Sequence, residues 1–273
     1  LFQYMHICFV DRSFPIDGKP AGGSGRYIDN IINEMIRKGH LVSIVSFPSK
    51  VLRIIRLNNN TNIFPYSYHP AMIWYLSKLP ILNIFTQSLQ YLIEGWYILK
   101  TLRNIDRKKK IDVVEYTEGG DFWSTFHNKW SCISHLHCSG YTGLSQCGKK
   151  IGYGLKIKRL LEHIFINRSN KVISPSKAMI KIVEDEMNTI IKKKKVIPLP
   201  VDPRISEYNN NDIKKKNFVG IFAAREDPLK GGKILLDAIS NLNLEISNKI
   251  RFKFFGYPSN GLNNNIEFFK FIE

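Results

Sequence analysis

Met5-His6-Ile7-Cys8-Phe9-Val10, a Gly- and Pro-bearing loop over 11–23, Ser24 to Gly39, and Leu41 to Phe47 together form the most telling stretch of this chain. The first run is short and almost continuously apolar, as expected of a strand buried on both faces. Tyr27, Ile28, Ile31, Ile32, Met35 and Ile36 then recur at helical spacing and make one apolar stripe. Ser24 is the expected N-cap, Arg37 and Lys38 suit the negative end of the helix dipole, and Gly39 is the expected stop. Leu41 to Phe47 is again apolar. A strand, a loop, a helix and a strand in that order imply a parallel sheet with helices on its faces.

The same grammar continues. Asp112 to Tyr116, Ser131 to Leu136 and Lys171 to Ser174 read as strands, Ser176 to Met187 as a helix, and Val196-Ile197-Pro198 as the end of a further strand. A charged, proline-punctuated stretch follows. Beyond it Phe218 to Ala224 reads as a strand, Gly232 to Leu242 as a helix, Arg251 to Gly256 as a strand, and Ile266 to Ile272 is strand-like. The expected domains are 1–200 and 218–273, joined by a linker over 201–217. The segment from Ala71 to Leu102 carries Trp74, Tyr75, Trp96 and Tyr97 among aliphatics and reads as two amphipathic helices packed on the sheet. Its alternative is a face resting in a membrane interface, with nearby lysines as anchors.

Composition narrows the class. The chain has 273 residues, 44% of them hydrophobic and 12% aromatic, which excludes a disordered chain. Four cysteines are too few for a disulfide framework, so a reducing, cytoplasmic compartment is expected. No apolar run of about 18 residues suggests a spanning helix, and the first residues lack the pattern of a signal peptide. Forty basic against 23 acidic side chains give a formal charge of +17. That balance suits nucleic acid, anionic lipid or a phosphorylated substrate, or it is the solvated surface of a Lys/Asn/Ile-rich proteome.

Two places invite phosphate. In Ala21-Gly22-Gly23-Ser24-Gly25-Arg26, glycines ahead of a helix start let a ligand approach backbone N–H groups. The spacing is not that of a dinucleotide fingerprint, because Ile28 stands at the third glycine position, so a plain glycine loop is an equal reading. In Arg225-Glu226-Asp227-Pro228-Leu229-Lys230-Gly231, one cation follows a strand and another precedes a helix. Ligands of open parallel sheets sit beyond the carboxyl ends of strands, so Arg225 and Lys230 suit a diphosphate, and solvent-facing loop cations are the alternative. His135, His137, Cys138 and Cys147 lack the spacing of a zinc site, since strand alternation sends Cys138 to the face opposite 135 and 137. Cys8 and Cys132 are expected to be small buried apolar residues.

The ordered set resembles the retaining glycosyltransferases of the GT-B fold known as family 4. It comprises the strand His6 to Val10, Pro15, Gly22-Gly23, Arg37-Lys38-Gly39-His40, Asp112-Val113-Val114-Glu115, Ser134-His135-Leu136-His137, Ser174-Pro175-Ser176, Val196 to Asp202, and Arg225 with Lys230. The resemblance implies an α/β protein of two Rossmann-like domains with parallel sheets, the second incomplete here. It implies transfer of a hexose from a nucleotide sugar to a hydroxyl with retention, the acceptor in the N-terminal domain and the nucleotide in the C-terminal one.

Residue by residue, it implies that Gly22 and Gly23 approach the donor diphosphate and that His137 stands near the transferred sugar. Arg225 and Lys230 would neutralise the leaving diphosphate without a metal or other cofactor, and Glu118 would lie in a loop reaching the acceptor. Sugar or lipid-linked acceptors would place the protein in bacterial surface polysaccharide or lipopolysaccharide assembly, cytoplasmic and peripheral on the inner membrane leaflet. The family's Glu-x7-Glu motif does not follow Lys230, so the 273-residue chain alone is expected to be poorly stable and nearly inactive. Two other classes stand beside this one: a non-catalytic remnant, and a basic nucleic-acid-binding protein, for which no aromatic-basic stacking motif is present.

Overall fold

The computed structural model describes residues 4–12, 14, 22–47, 55–58, 60–66, 74, 75, 78, 79, 83–117, 119–127, 129–137, 141, 151–200, 218–224, 230–243 and 250–255. They fall into two compact units, one within Leu1–Asp202 and one within Pro203–Glu273. The first unit is built on strands β1 (His6–Val10), β2 (Leu41–Ser46), β3 (Ile55–Asn58), β4 (Thr61–Pro65), β5 (Val113–Thr117), β6 (Ser131–His135), β7 (Lys171–Ser174) and β8 (Lys194–Val196). Their order across the sheet is β3-β4-β2-β1-β5-β6-β7-β8, and every neighbouring pair except β3–β4 is parallel. The order runs outward in both directions from β1, so the connections after β1 and β5 diverge there. That divergence opens a crevice at the carboxyl ends of the central strands.

Period-two alternation sorts β1 between two cores. Ile7 and Phe9 face helix α1 (Gly22–Arg37), whose Ile28 and Ile32 join Val42, Ile44 and Ile63 in one cluster. Cys8 and Val10 face the opposite side, where Ile98, Leu99, Leu102 and Ile105 of α2 (Thr86–Lys108) pack with Val114, Tyr116 and Phe165. Each such fully buried aliphatic side chain stabilises the fold by about 1.5–3 kcal/mol. Phe165 belongs to α3 (Tyr153–Arg168), and α4 (Lys177–Met187) closes a third cluster with Val183 against Leu136, Ile166, Val172 and Ile191. Cys8 and Cys132 are buried free thiols, as their strand positions imply. Burial pushes the Cys132 thiol up to about 12, which leaves it unreactive.

Helix ends follow local chemistry, with one correction. Helix α1 begins at Gly22, so Ser24 lies inside its first turn and does not cap it. It stops as expected: Gly39 has φ +87°, its N–H donates to the Ile36 carbonyl and that of His40 to Met35. In α4 the Ser176 hydroxyl accepts from the Met179 N–H at 3.1 Å, a true N-cap. The stretch read as two helices over 71–102 ends in a helix of 23 residues that runs on to Lys108, and Trp74, Tyr75 and Lys78 ahead of it are helical too. Its inward face is core, while Trp74, Tyr75, Leu79 and Ile84 ahead of it are at least half exposed. No helix among the described residues is long and apolar enough to cross a membrane.

In the second unit β9 (Phe218–Ala223) pairs in parallel with β10 (Ile250–Phe255), and α5 (Gly232–Ser240) lies between them in sequence.

Candidate active site

The parallel register delivers polar side chains to one end of the sheet. On β5 and β6, Glu115 pairs with Ile133 and Thr117 with His135, so alternation sets Glu115, Thr117 and His135 on one face. Glu115, at 7% exposure, is a carboxylate inside a strand core, and a buried carboxylate requires partners. It has two. The Tyr27 hydroxyl donates to Glu115 Oε1 at 2.8 Å from α1, and His135 Nδ1 lies 2.9 Å from the same oxygen. Glu115 thereby engages Nδ1 of His135 and leaves Nε2 as the ring's other polar atom.

His137, two residues beyond, stacks on His135 with ring centroids 4.0 Å apart, and the edge of Tyr27 packs against both imidazoles. Nε2 of His135 and Nε2 of His137 are both buried without a hydrogen-bond partner. Orphaned buried polar atoms are rare in folded proteins, and two side by side on stacked rings call for a role in chemistry or binding. Burial lowers the His137 pKa to about 4, with the neighbouring His135 adding to the fall and Asp11 opposing it. His137 is therefore a neutral imidazole at neutral pH. Asp11, at the end of β1, accepts from Thr117 Oγ1 at 2.9 Å.

On the other side of the β1 end, Arg12 leads into a second polar cluster. Its Nε donates to Glu94 Oε1 at 3.1 Å, and its Nη2 donates to the Gly120 carbonyl at 3.3 Å. Tyr66 donates to the same Glu94 oxygen at 2.5 Å, and the guanidinium lies 5.5 Å from the Tyr91 ring centroid. Burial works to lower the Arg12 pKa, but the Glu94 carboxylate and its neighbours outweigh it, so the cation is held firmly charged. A cavity of about 430 Å³ opens beside this pair.

The expected site residues fare unequally. His137 lies in the imidazole array. Gly22 and Gly23 form the first turn of α1, and a Cβ at Gly23 would meet no atom within 4 Å, so open space lies in front of it. Lys230 is exposed in the turn before Gly231, whose φ of +72° leads into α5 in the second unit. Arg225 and Glu118 lie outside the described residues. Among the described residues no cluster of three or more His, Cys, Asp or Glu side chains is arranged to hold a metal ion. Tyr27, Glu115, Asp11, Arg12 and Glu94 were not singled out as chemistry from sequence, and His135 was weighed there only as a zinc ligand. The available signal was a carboxylate and a histidine set within otherwise apolar strands.

A search of curated proteins finds no match. Among solved structures, sucrose-phosphate synthase from Thermosynechococcus elongatus superposes with a TM-score of 0.66 at 12% identity, covering 97% of this chain and 66% of that one. An α,α-trehalose-phosphate synthase (UDP-forming) from Burkholderia xenovorans, in complex with glucose-6-phosphate, gives 0.64 at 12% identity, covering 97% and 69%. WaaG, a glycosyltransferase involved in lipopolysaccharide biosynthesis, gives 0.60 at 12% identity, covering 93% and 64%. At such identity these likenesses establish the GT-B fold, and the chain spans about two thirds of the length of those proteins. The model of Glycosyltransferase Family 4 matches residues 21–205, a span that takes in Tyr27, Glu94, Glu115, His135 and His137 and most of the chain, and this chain belongs to that family.

Proposed function

We propose that the protein transfers a hexose from a nucleotide sugar to a hydroxyl acceptor with retention at the anomeric carbon. The observation that carries this reading is the stacked pair of imidazoles, one of them neutral at neutral pH, with two orphaned Nε2 atoms at the carboxyl end of β6. A neutral imidazole can donate to or accept from a sugar hydroxyl without adding charge to the reacting centre. The open first turn of α1 offers backbone N–H groups to the donor's diphosphate. Arg225 and Lys230 neutralise the charge that grows on the leaving diphosphate, the work a metal does elsewhere. The first unit takes the acceptor and the second the nucleotide.

A place in surface polysaccharide or lipopolysaccharide assembly follows from the basic surface and the exposed aromatics Trp74 and Tyr75, with Lys78 Nζ 4.7 Å from the Trp74 ring centroid. Indole, phenol and ammonium groups in that arrangement suit an anionic leaflet carrying lipid-linked acceptors. Co-sedimentation with phosphatidylglycerol vesicles that is insensitive to salt and to Trp74→Ala would remove the membrane part of the reading.

The test of transfer is a screen of UDP-, GDP- and ADP-hexoses, reading both nucleotide release and the anomeric configuration of the product. It is run on the 273-residue chain and on a version carrying any sequence encoded after Glu273. Gly23→Ala sharpens it. Alanine in place of glycine in an exposed helical position stabilises by about 0.5–1 kcal/mol, so the fold should gain slightly while the new methyl obstructs the diphosphate. A raised Tm together with donor binding weakened about tenfold is expected. Unchanged donor binding would remove the glycine turn from the site.

A further inference from the structure

Two histidines are buried within strands of the first sheet, and their rings are held differently. His6, on β1, is 2% exposed and has both ring nitrogens engaged: Nδ1 lies 3.0 Å from the Lys110 carbonyl oxygen and Nε2 2.8 Å from the Ser43 hydroxyl. That ring is built into the fold. His135, on β6, is 1% exposed, and its engaged nitrogen is Nδ1, 2.9 Å from Glu115 Oε1. Its Nε2 has no hydrogen-bond partner among the described residues. A buried polar atom left alone costs stability, and an apolar side chain in the same place would not incur that cost. What His135 adds to the protein is that free nitrogen.

Two groups fix where the nitrogen lies. An imidazole can turn over about its Cβ–Cγ bond, which would exchange the place of Nδ1 with that of a ring carbon. The hydrogen bond between Nδ1 and Glu115 opposes that turn. Glu115 is held in its place by the Tyr27 hydroxyl, which donates to the same Oε1 at 2.8 Å. The Tyr27 ring also meets His135 and His137 edge-on, with ring centroids 4.5 and 5.0 Å away. Tyr27 therefore braces the carboxylate with its oxygen and both imidazoles with its ring. It lies one helical turn after Gly23 on α1, so the brace and the open glycine turn share one face of that helix.

We propose that Glu115 and Tyr27 are positioning residues for the transfer step: they fix the His135 ring so that Nε2 meets a hydroxyl of the substrate beside His137. Both act through His135 and neither touches the substrate. A ring free to turn would present Nε2 for only part of the time, so the rate would fall without loss of donor affinity. The substrate contact rests on the transferase reading above; the fixing of the ring does not.

The first arm of the test uses no substrate. In long-range ¹H–¹⁵N NMR of the 273-residue chain labelled at histidine, His135 should give one fixed set of ring signals. Tyr27→Phe removes a single oxygen, and Glu115→Gln keeps the size of the side chain. Both should shift or broaden the His135 signals and leave those of His6 in place. The second arm measures transfer from UDP-, GDP- and ADP-hexoses. Each variant should lower kcat about tenfold with the donor KM changed by less than about twofold, and Glu115→Ala should lower kcat about a hundredfold. Glu115 is buried, so Tyr27→Phe keeps the test independent of the effect of the Glu115 variants on folding. Unmoved His135 signals in Tyr27→Phe, an unchanged kcat per folded molecule, or a parent ring already exchanging between two states would each overturn the proposal. Histidine spectra as expected, without transfer from any donor, would remove the transferase reading and leave the fixing of the ring standing.

Discussion

Replacing His137 with alanine is expected to lower kcat for sugar transfer by about 10²–10³-fold, with little change in fold. The side chain is half-buried and makes no protein hydrogen bond through Nε2. What disappears is a positioned polar atom at the reacting centre, and removing one such group typically costs about 2.7–4 kcal/mol of transition-state stabilisation. His137→Gln keeps an amide N–H near the same place and should recover part of the rate. A kcat within fivefold of the parent for His137→Ala would take the imidazole out of the chemistry.

The same residue supplies a readout that needs no substrate. Burial holds the folded-state pKa of His137 near 4, below the ordinary value of 6.5. A base depressed on folding costs nothing above the unfolded pKa, where both states are neutral. Below it the unfolded chain gains a proton that the folded chain refuses, so stability falls as pH drops from about 6.5 to about 4, by about 1.4 kcal/mol per unit at most. His163, lowered to about 4 by burial and by Arg159, acts in the same window. His137→Ala should flatten part of this acid limb in urea melts between pH 7 and 4. If the melts of parent and variant run parallel across that range, His137 is not held neutral by the fold.

The legible and illegible parts of this protein divide by range. β1, α1 and β2 were readable because each carries its periodicity within a dozen residues, and Gly39 marks its own turn with a positive φ. Helix α3 was missed although Ile157, Leu160, Leu161 and Ile164 stand at helical spacing; its buried residues, Gly154, Leu155, Phe165 and Ile166, lie at its two ends and not along that stripe. β3 and β4 are a short polar-flanked pair at the sheet edge, where half-burial weakens alternation. The site was half visible. His137 could be found from its place after a strand. The Tyr27–Glu115 bond spans 88 residues and the Arg12–Glu94 pair 82, so only the parallel register and the docking of α1 and α2 bring those partners together.

Gly120→Ala is expected to be the most damaging of the substitutions considered, costing about 2–5 kcal/mol and lowering Tm by about 5–15 °C. Gly120 has φ +62°, a left-handed conformation that costs a non-glycine residue about 1–2 kcal/mol. A Cβ there would stand 2.1 Å from one ring carbon of Phe165 and 2.3 Å from another. Phe165 cannot retreat cheaply: it is 1% exposed and packs edge-on against Tyr116 with ring centroids 4.8 Å apart. The alternative, a shift of the 120 backbone, moves the carbonyl that accepts from Arg12 Nη2 and so disturbs the Arg12–Glu94 pair. Gly23→Ala provides the opposite sign from the same chemistry, because its methyl meets open space in a helix. Phe165→Leu in the Gly120→Ala background should restore part of the lost stability, a non-additivity expected only where two groups compete for one volume. A Gly120→Ala melt within 2 °C of the parent would mean that the ring and the turn yield together.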